Sequence, residues 1–204
     1  EIETAVYDFW KEIYVYERGY IEESSWLEYV RHDAAVNELA TTFCCVYQGQ
    51  IVATIRCLPL TEGGVIPTLS HFPDLDLSEY DLSKLMDVGK SMKLRKVDGE
   101  KVHYTVMWRL YGALYRYAKA EDRDCVLAFI IPGYIERLND SGILSRKLLY
   151  EGEILPLTMD KYFDKNPVPV VISLRNVLLR VAWKEIFLVP FAFINGIIEG
   201  KPGK

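Results

Sequence analysis

Apolar residues recur at helical spacing over residues 4–18, with Ala5, Phe9, Ile13 and Tyr16 on one face and Asp8, Lys11 and Glu12 on others. The segment is predicted helical, with Gly19 as its stop. Residues 22–38 are polar, with weak helical character around 26–30. The runs 41–47 and 51–58 are rich in β-branched and aromatic residues and flank Gln48-Gly49-Gln50, which predicts a β-hairpin. Residues 59–80 carry Gly63-Gly64, Pro67 and Pro73 and read as irregular chain; a loop that long inside a compact domain is usually functional. A third strand is predicted over 84–96, with a turn at Asp98-Gly99. The strongest helical pattern is 102–120, where Val106, Leu110, Leu114 and Tyr117 form one stripe and Arg109, Arg116 and Lys119 are interleaved. Gly112 inside that helix predicts a close packing contact. The apolar run 125–131 has the length of a strand buried on both faces and is broken by Pro132-Gly133. A short helix over 134–140 and strands over 148–157 and 168–174 follow. Residues 175–198 are predicted mostly helical, kinked or broken at Pro190. The order describes a mixed α/β (α+β) chain with a meander-like first half and a crossover helix in the second.

Composition narrows the class. The chain has 204 residues, half of them hydrophobic and 13% aromatic, enough for one large domain with a real core. A formal net charge of -5 argues against non-specific nucleic-acid binding, which needs a basic face. Cys44, Cys45, Cys57 and Cys125 form no CxxC, and no Cys/His cluster has zinc spacing, so no metal is expected and buried free thiols in a reducing compartment are. His32, His71 and His103 have neither triad nor metal spacing and read as incidental; no GxSxG, P-loop or HExxH occurs. The chain opens on Glu1 with no visible targeting segment, and a cytoplasmic protein is expected. The apolar stretch 187–198 is too short to span a membrane, and Lys184 and Glu185 precede it. Docking on the core or on a second subunit, the lining of an acyl tunnel and peripheral membrane contact all stay open for it, whereas 177–183 reads as core.

Three segments resemble acyl-homoserine-lactone synthases of the GCN5-related (GNAT-like) acyltransferase fold. Residues 9–20 (FWKEIYVYERGY) are similar to their aromatic N-terminal signature, 47–56 (YQGQIVATIR) to their hairpin, and 86–90 (MDVGK) stands where they carry Glu-x-Ser-Arg. The resemblance covers residues 4–157 and implies a GNAT-like mixed sheet flanked by helices, with an acyltransferase domain over 1–174 and an apolar helical extension of it over 175–204. Two departures count against S-adenosylmethionine: Trp10 replaces an arginine, and Asp33 and Glu38 lack the spacing of the family's acidic pair. In these departures the chain looks most like the long-chain N-acyl amino acid synthases, which join an acyl group from acyl carrier protein to an amino acid such as tyrosine.

The segment 93–102 (KLRKVDGEKV) has one glycine, too few for a loop that cradles a CoA pyrophosphate through backbone N–H groups. Lys90, Lys93, Arg95, Lys96, Lys101 and Arg109 instead make a basic cluster on an acidic protein. Such a patch suits an acidic acyl carrier protein and steers its approach; a solvated charged strand end accounts for it equally. No cofactor is implied beyond the phosphopantetheine that the carrier brings.

The resemblance places Asp87 as the base that deprotonates the acceptor amine, directly or through one water. An ion pair with Lys90, or simply the end of a strand, is the plain alternative. Gly89 would tolerate a bulge whose N–H groups, flanked by Val88 and Ser91, face an oxyanion; close packing is the alternative. Arg56 is placed to grip an amino-acid carboxylate, against a surface ion pair. Tyr14 and Tyr20 are placed to wall the amine pocket, against simple packing. The expected activity is N-acyl amino acid synthesis from acyl carrier protein thioester. Competing readings are a homoserine-lactone synthase, a CoA-dependent N-acyltransferase, and a non-catalytic acyl-chain or carrier-protein binding module.

Overall fold

The computed structural model describes residues 2–61, 63–140, 145–157, 159–174 and the backbone of 197–200. The predicted first helix appears as α1 (Ile2–Lys11), which widens into a π-helical turn over Glu12–Glu17. Arg18 N–H donates to the Ile13 carbonyl at 2.9 Å across this wider turn, and Gly19 leaves the helix at φ +62°. The π turn buries Ile13 and Tyr14 together, and such turns recur at functional sites. Helix α2 (Trp26–Leu39) is longer than its weak apolar pattern predicts, because Trp26, Tyr29 and Asp33 are its buried face.

The hairpin strands are β1 (Thr41–Tyr47) and β2 (Gln50–Pro59). The predicted loop contains one helical turn, α3 (Pro67–His71). Then come β3 (Leu85–Lys93), the small hairpin β4 (Lys96–Val97) and β5 (Glu100–Lys101), α4 (Thr105–Ala120), β6 (Cys125–Ile130) and α5 (Pro132–Asp140). The chain continues with β7 (Ser145–Lys147), α6 (Asp160–Phe163), β8 (Val168–Ser173) and β9 (Ile197–Gly200). The predicted strand over 148–157 is irregular chain: Leu148 and Tyr150 pack on the core, while Leu149 is 93% exposed and residues 151–155 are exposed too. Most of the predicted C-terminal helix, 175–196, lies outside the described residues, but its last two positions, Ile197 and Ile198, pair with β1 as a strand.

Seven strands form one sheet in the order β7-β8-β6-β3-β2-β1-β9. All neighbours are antiparallel except β3 and β6, which α4 connects as a crossover. Alternate residues face two cores. Met86, Val126, Val170 and Ile172 join the large cluster beneath α4 and the N-terminal helices, and Leu85, Leu127 and Val171 join a smaller one with Leu60, Phe72, Leu75 and Leu77. Strands β3, β6 and β8 are therefore covered on both faces, as the apolar run at β6 predicts.

One feature of the sheet positions the site. The parallel pairing of β3 with β6 lasts only from Leu85↔Cys125 to Asp87↔Leu127. Beyond it β3 stays with β2 and β6 with β8, so the strands part after Asp87. A cavity of about 550 Å³ occupies the region of this fork.

Candidate active site

Asp87 stands at the fork, 4% exposed and on the cavity wall. Pro67 opens α3, and the first N–H groups of a helix have no partner within it. One of these, Thr68 N–H, donates to Asp87 Oδ2 at 2.8 Å. Burial pushes the Asp87 carboxyl up to about 6, with the Thr68 hydroxyl and N–H and the Arg56 guanidinium opposing the rise. A carboxylate with that pKa is mostly ionised at pH 7 and still basic enough to take a proton.

Past the fork, β3 bulges. Its register against β2 shifts between Thr54 and Arg56, so that Lys90 and Ser91 together oppose Ile55. Lys90 takes φ +52°, uncommon for a residue with a side chain. The bulge is tied from below: Trp10 Nε1–H donates to Thr54 Oγ1 at 3.0 Å, and the Thr54 hydroxyl donates to the Lys90 carbonyl at 2.9 Å. A bulge leaves one residue outside the ladder and its backbone N–H free for another acceptor. Gly89 is where such an acceptor would meet it. A Cβ built on Gly89 meets no atom within 4 Å, so the glycine borders open cavity rather than a packing contact.

The bulge also turns Lys90 inward. Its Nζ lies 4.3 Å from the Trp10 and Tyr29 ring centroids, 5.2 Å from Tyr14 and 3.2 Å from Asp33 Oδ1. At 8% exposure Lys90 belongs to the cavity wall, which corrects its assignment to a carrier-docking surface. Its ion-pair partner is Asp33, not Asp87. Arg56, buried in mid-strand opposite Gly89, donates from Nη1 to Asp33 Oδ2 at 2.7 Å, so its ion pair is an internal one. Two basic side chains thus share one carboxylate in the wall. Burial pulls the Lys90 pKa well below its ordinary value. The carboxylate and the ring faces favour its charged form. Lys90 Nζ forms no hydrogen bond within the described residues, so a buried donor remains to be satisfied.

The other predicted residues are distributed as follows. Tyr14 and Tyr20 both line the cavity, 6.3 Å apart between ring centroids, and Val88 and Ser91 line it too. Ser91 Oγ lies 3.4 Å from the Tyr111 hydroxyl, which continues to Tyr134 at 3.3 Å and Tyr104 at 2.7 Å. Burial keeps the Tyr111 and Tyr134 phenols protonated. Lys93 is half-buried and donates to the carbonyls of Val102 at 2.8 Å and Leu94 at 3.2 Å, a strut more than a free charge. Arg109 is half-buried on α4. The exposed part of the basic cluster is Arg95, Lys96 and Lys101, the last two paired across β4 and β5. Arg18, exposed at the end of the π turn, lines the cavity and adds to that charge.

Sequence reasoning missed Asp33, Thr68, the inward turn of Lys90 and His71. The spacing of Asp33 from Glu38 sets it apart from an acidic pair, but its burial on α2 needs no second acid. Thr68 and His71 fall in the loop whose length alone marked it as functional. The apolar remainder of the cavity is walled by residues such as Met107, Leu114, Val126, Ala128, Ile172 and Leu174, a setting for a hydrocarbon chain. The four cysteines are unbonded, and burial holds the Cys44 and Cys45 thiols up at about 11, hence protonated. Among the described residues no group of His, Cys, Asp and Glu is arranged to hold a metal, and no helix is long and apolar enough to cross a membrane.

No protein-family model matches the sequence, and neither does any curated protein. Solved structures do match. BjaI, a CoA-dependent acyl-homoserine lactone synthase determined with SAM and isopentyl-CoA, aligns with a TM-score of 0.60 and 14% identity over 92% of this chain and 84% of its own. FeeM, an N-acyl amino acid synthase from uncultured soil microbes, aligns at 0.58 and 16% identity over 88% of this chain and 94% of its own. The acyl-homoserine lactone synthase LasI aligns at 0.50 and 16% identity over 67% of this chain, which spans just under two thirds (66%) of LasI. A GNAT-family acetyltransferase from Staphylococcus aureus Mu50 aligns at 0.51 and 13% identity over 84% of this chain and 92% of its own. At these identities the likeness is one of fold: the chain has the GNAT-like acyltransferase fold, in the version also seen in lactone synthases and an N-acyl amino acid synthase.

Proposed function

We propose that this protein is an N-acyltransferase that joins a long-chain acyl group, delivered as an acyl carrier protein thioester, to the amine of an amino acid. The observation that carries the reading is the composition of one cavity wall. A buried carboxylate with its pKa pushed up to about 6, Asp87, shares that wall with Arg56 and Lys90, two basic groups that share the carboxylate of Asp33. An amino acid brings complementary ends: its ammonium faces Asp87 and its carboxylate faces Arg56 and Lys90. The apolar arm receives the acyl chain, and the bulge at Lys90 and Ser91, next to Gly89, offers backbone N–H to the oxyanion.

The chemistry follows from these placements. Asp87 takes a proton from the ammonium, and the freed amine attacks the thioester carbonyl. The oxyanion collapses and expels the phosphopantetheine thiolate. Tyr14 and Tyr20 wall the acceptor end. Arg95, Lys96 and Lys101, with Arg18 at the cavity, present positive charge to an acidic carrier protein and speed its docking. Incubation with acyl carrier protein thioester and a mixture of amino acids is expected to yield an N-acyl amino acid by mass spectrometry. Parallel reactions with acyl-CoA and with S-adenosylmethionine discriminate the CoA-dependent and lactone-forming alternatives. Absence of amide from every donor would sink the reading.

A further inference from the structure

His71 ends α3 and lines the cavity. It stands three residues after Thr68, whose N–H holds Asp87. Residues three apart on a helix lie on one face with Cβ atoms about 5–6 Å apart, so the imidazole stands roughly one helical turn from the anchor of the carboxylate. His71 Nδ1 is 2.7 Å from the Leu155 carbonyl oxygen. A carbonyl only accepts, so Nδ1 carries the hydrogen and the neutral ring presents a bare Nε2. Phe129 and Phe163 lie against the ring, each 4.9 Å away between centroids, and fix its plane. Nε2 has no hydrogen-bond partner among the described residues. The groups packed on the ring from β6, α6 and the 148–157 segment are Phe129, Phe163 and the Leu155 carbonyl, all uncharged. The titratable groups that share the cavity with it include Asp87 on β3 and Tyr162 on α6. Burial lowers its pKa, the Leu155 carbonyl opposing, so the neutral form prevails at pH 7.

Amide formation removes two protons from the acceptor nitrogen, one before attack and one after the C–N bond has formed. Asp87, once protonated by the first, cannot take the second. We infer that His71 is a second proton acceptor of the reaction, its bare Nε2 receiving the proton that the nitrogen sheds after attack, directly or through one water. The inference rests on the acyl-transfer reading above. The C–N bond forms as the carbonyl pair moves onto oxygen. That pair then returns, the C–S bond breaks and its electrons leave on sulfur. Of the two protons taken from nitrogen, one ends on the thiolate and the other in solvent.

The test compares wild-type protein with His71→Asn, whose amide N–H stands at the position of Nδ1 and retains a donor for the Leu155 carbonyl, in amide formation from acyl carrier protein thioester across acid to mildly alkaline pH. The variant is expected to lose about 100-fold or more in kcat with KM for both substrates unchanged. The limiting acid slope of log(kcat/KM) against pH should fall from two to one. A wild-type slope of one, or a variant with undiminished kcat, overturns the inference. Should the variant not fold, wild-type protein treated with diethylpyrocarbonate replaces it. Loss of turnover should then track carbethoxylation mapped to His71, and the amino acid should protect; modification of His71 without loss of turnover overturns the inference. A wild-type protein that makes no amide overturns the acyl-transfer reading and this inference with it, whereas an active protein indifferent to the change at His71 overturns this inference alone.

Discussion

The backbone N–H of Thr68 meets Oδ2 of Asp87 at 2.8 Å, linking a five-residue helix in the long loop to the last residue at which β3 and β6 remain paired. The carboxylate is therefore held by backbone rather than by a mobile side chain, at the point where the sheet opens.

Asp87→Asn is expected to lose at least about 100-fold in turnover while the protein still binds acyl carrier thioester. Wild-type activity should fall as pH drops through about 6, where Asp87 takes up its proton. A binding module without chemistry would show no turnover to lose.

The same shift affects stability. The folded pKa of Asp87, about 6, lies above its ordinary value of 3.8, so between those values the folded protein holds a proton that the unfolded chain releases. This group's contribution to stability therefore declines as pH rises through that window, and its cost is complete above it. Asp87→Asn should be more stable than wild type at pH 8, by up to about 3 kcal/mol, and should lose that advantage near pH 4. Urea denaturation at both pH values measures it.

Asp33→Asn leaves Arg56 and Lys90 buried without their carboxylate and is expected to cost about 3–5 kcal/mol of stability. Lys90→Met keeps the apolar stem between the aromatic rings and removes the charge. It should cost less stability and raise KM for the amino acid about 10-fold or more, the effect of one charge-assisted hydrogen bond. Equal loss of stability in both variants, with KM unmoved by Lys90→Met, would leave the cluster a purely structural feature.

Gly89→Ala separates catalytic space from packing. No protein atom obstructs the added methyl group, so the thermal midpoint should stay near wild type while turnover falls. A destabilised but fully active variant would contradict the position of the glycine at the reacting carbonyl.

Charge reversal at Lys96 and Lys101 should raise KM for acyl carrier protein, more so at low salt, and leave KM for an acyl-pantetheine thioester unchanged. Equal effects on both donors would remove the carrier-docking role.

Local patterning in the sequence specified the hairpin, the crossover helix and the buried central strand, but not α3, β7 or β9. The β-branched and aromatic runs at 41–47 and 51–58, the apolar run at 125–131 and the helical stripe through Val106, Leu110 and Leu114 follow from local patterning and form β1, β2, β6 and α4. Motif order pointed to Asp87, Arg56, Tyr14 and Tyr20, all of which line the cavity. The direction in which Lys90 faces emerges from the folded sheet, since a bulge with φ +52° breaks the alternation that makes strand faces legible in a sequence. The tertiary fold likewise brought Asp33 from α2 and His71 from α3 to one cavity, with Thr68 of α3 anchoring Asp87 beside them. Their spacing in the chain carries no periodic signal, because the contacts arise from how α2, α3 and the sheet pack, and side chains distant in sequence are joined there by burial and electrostatics.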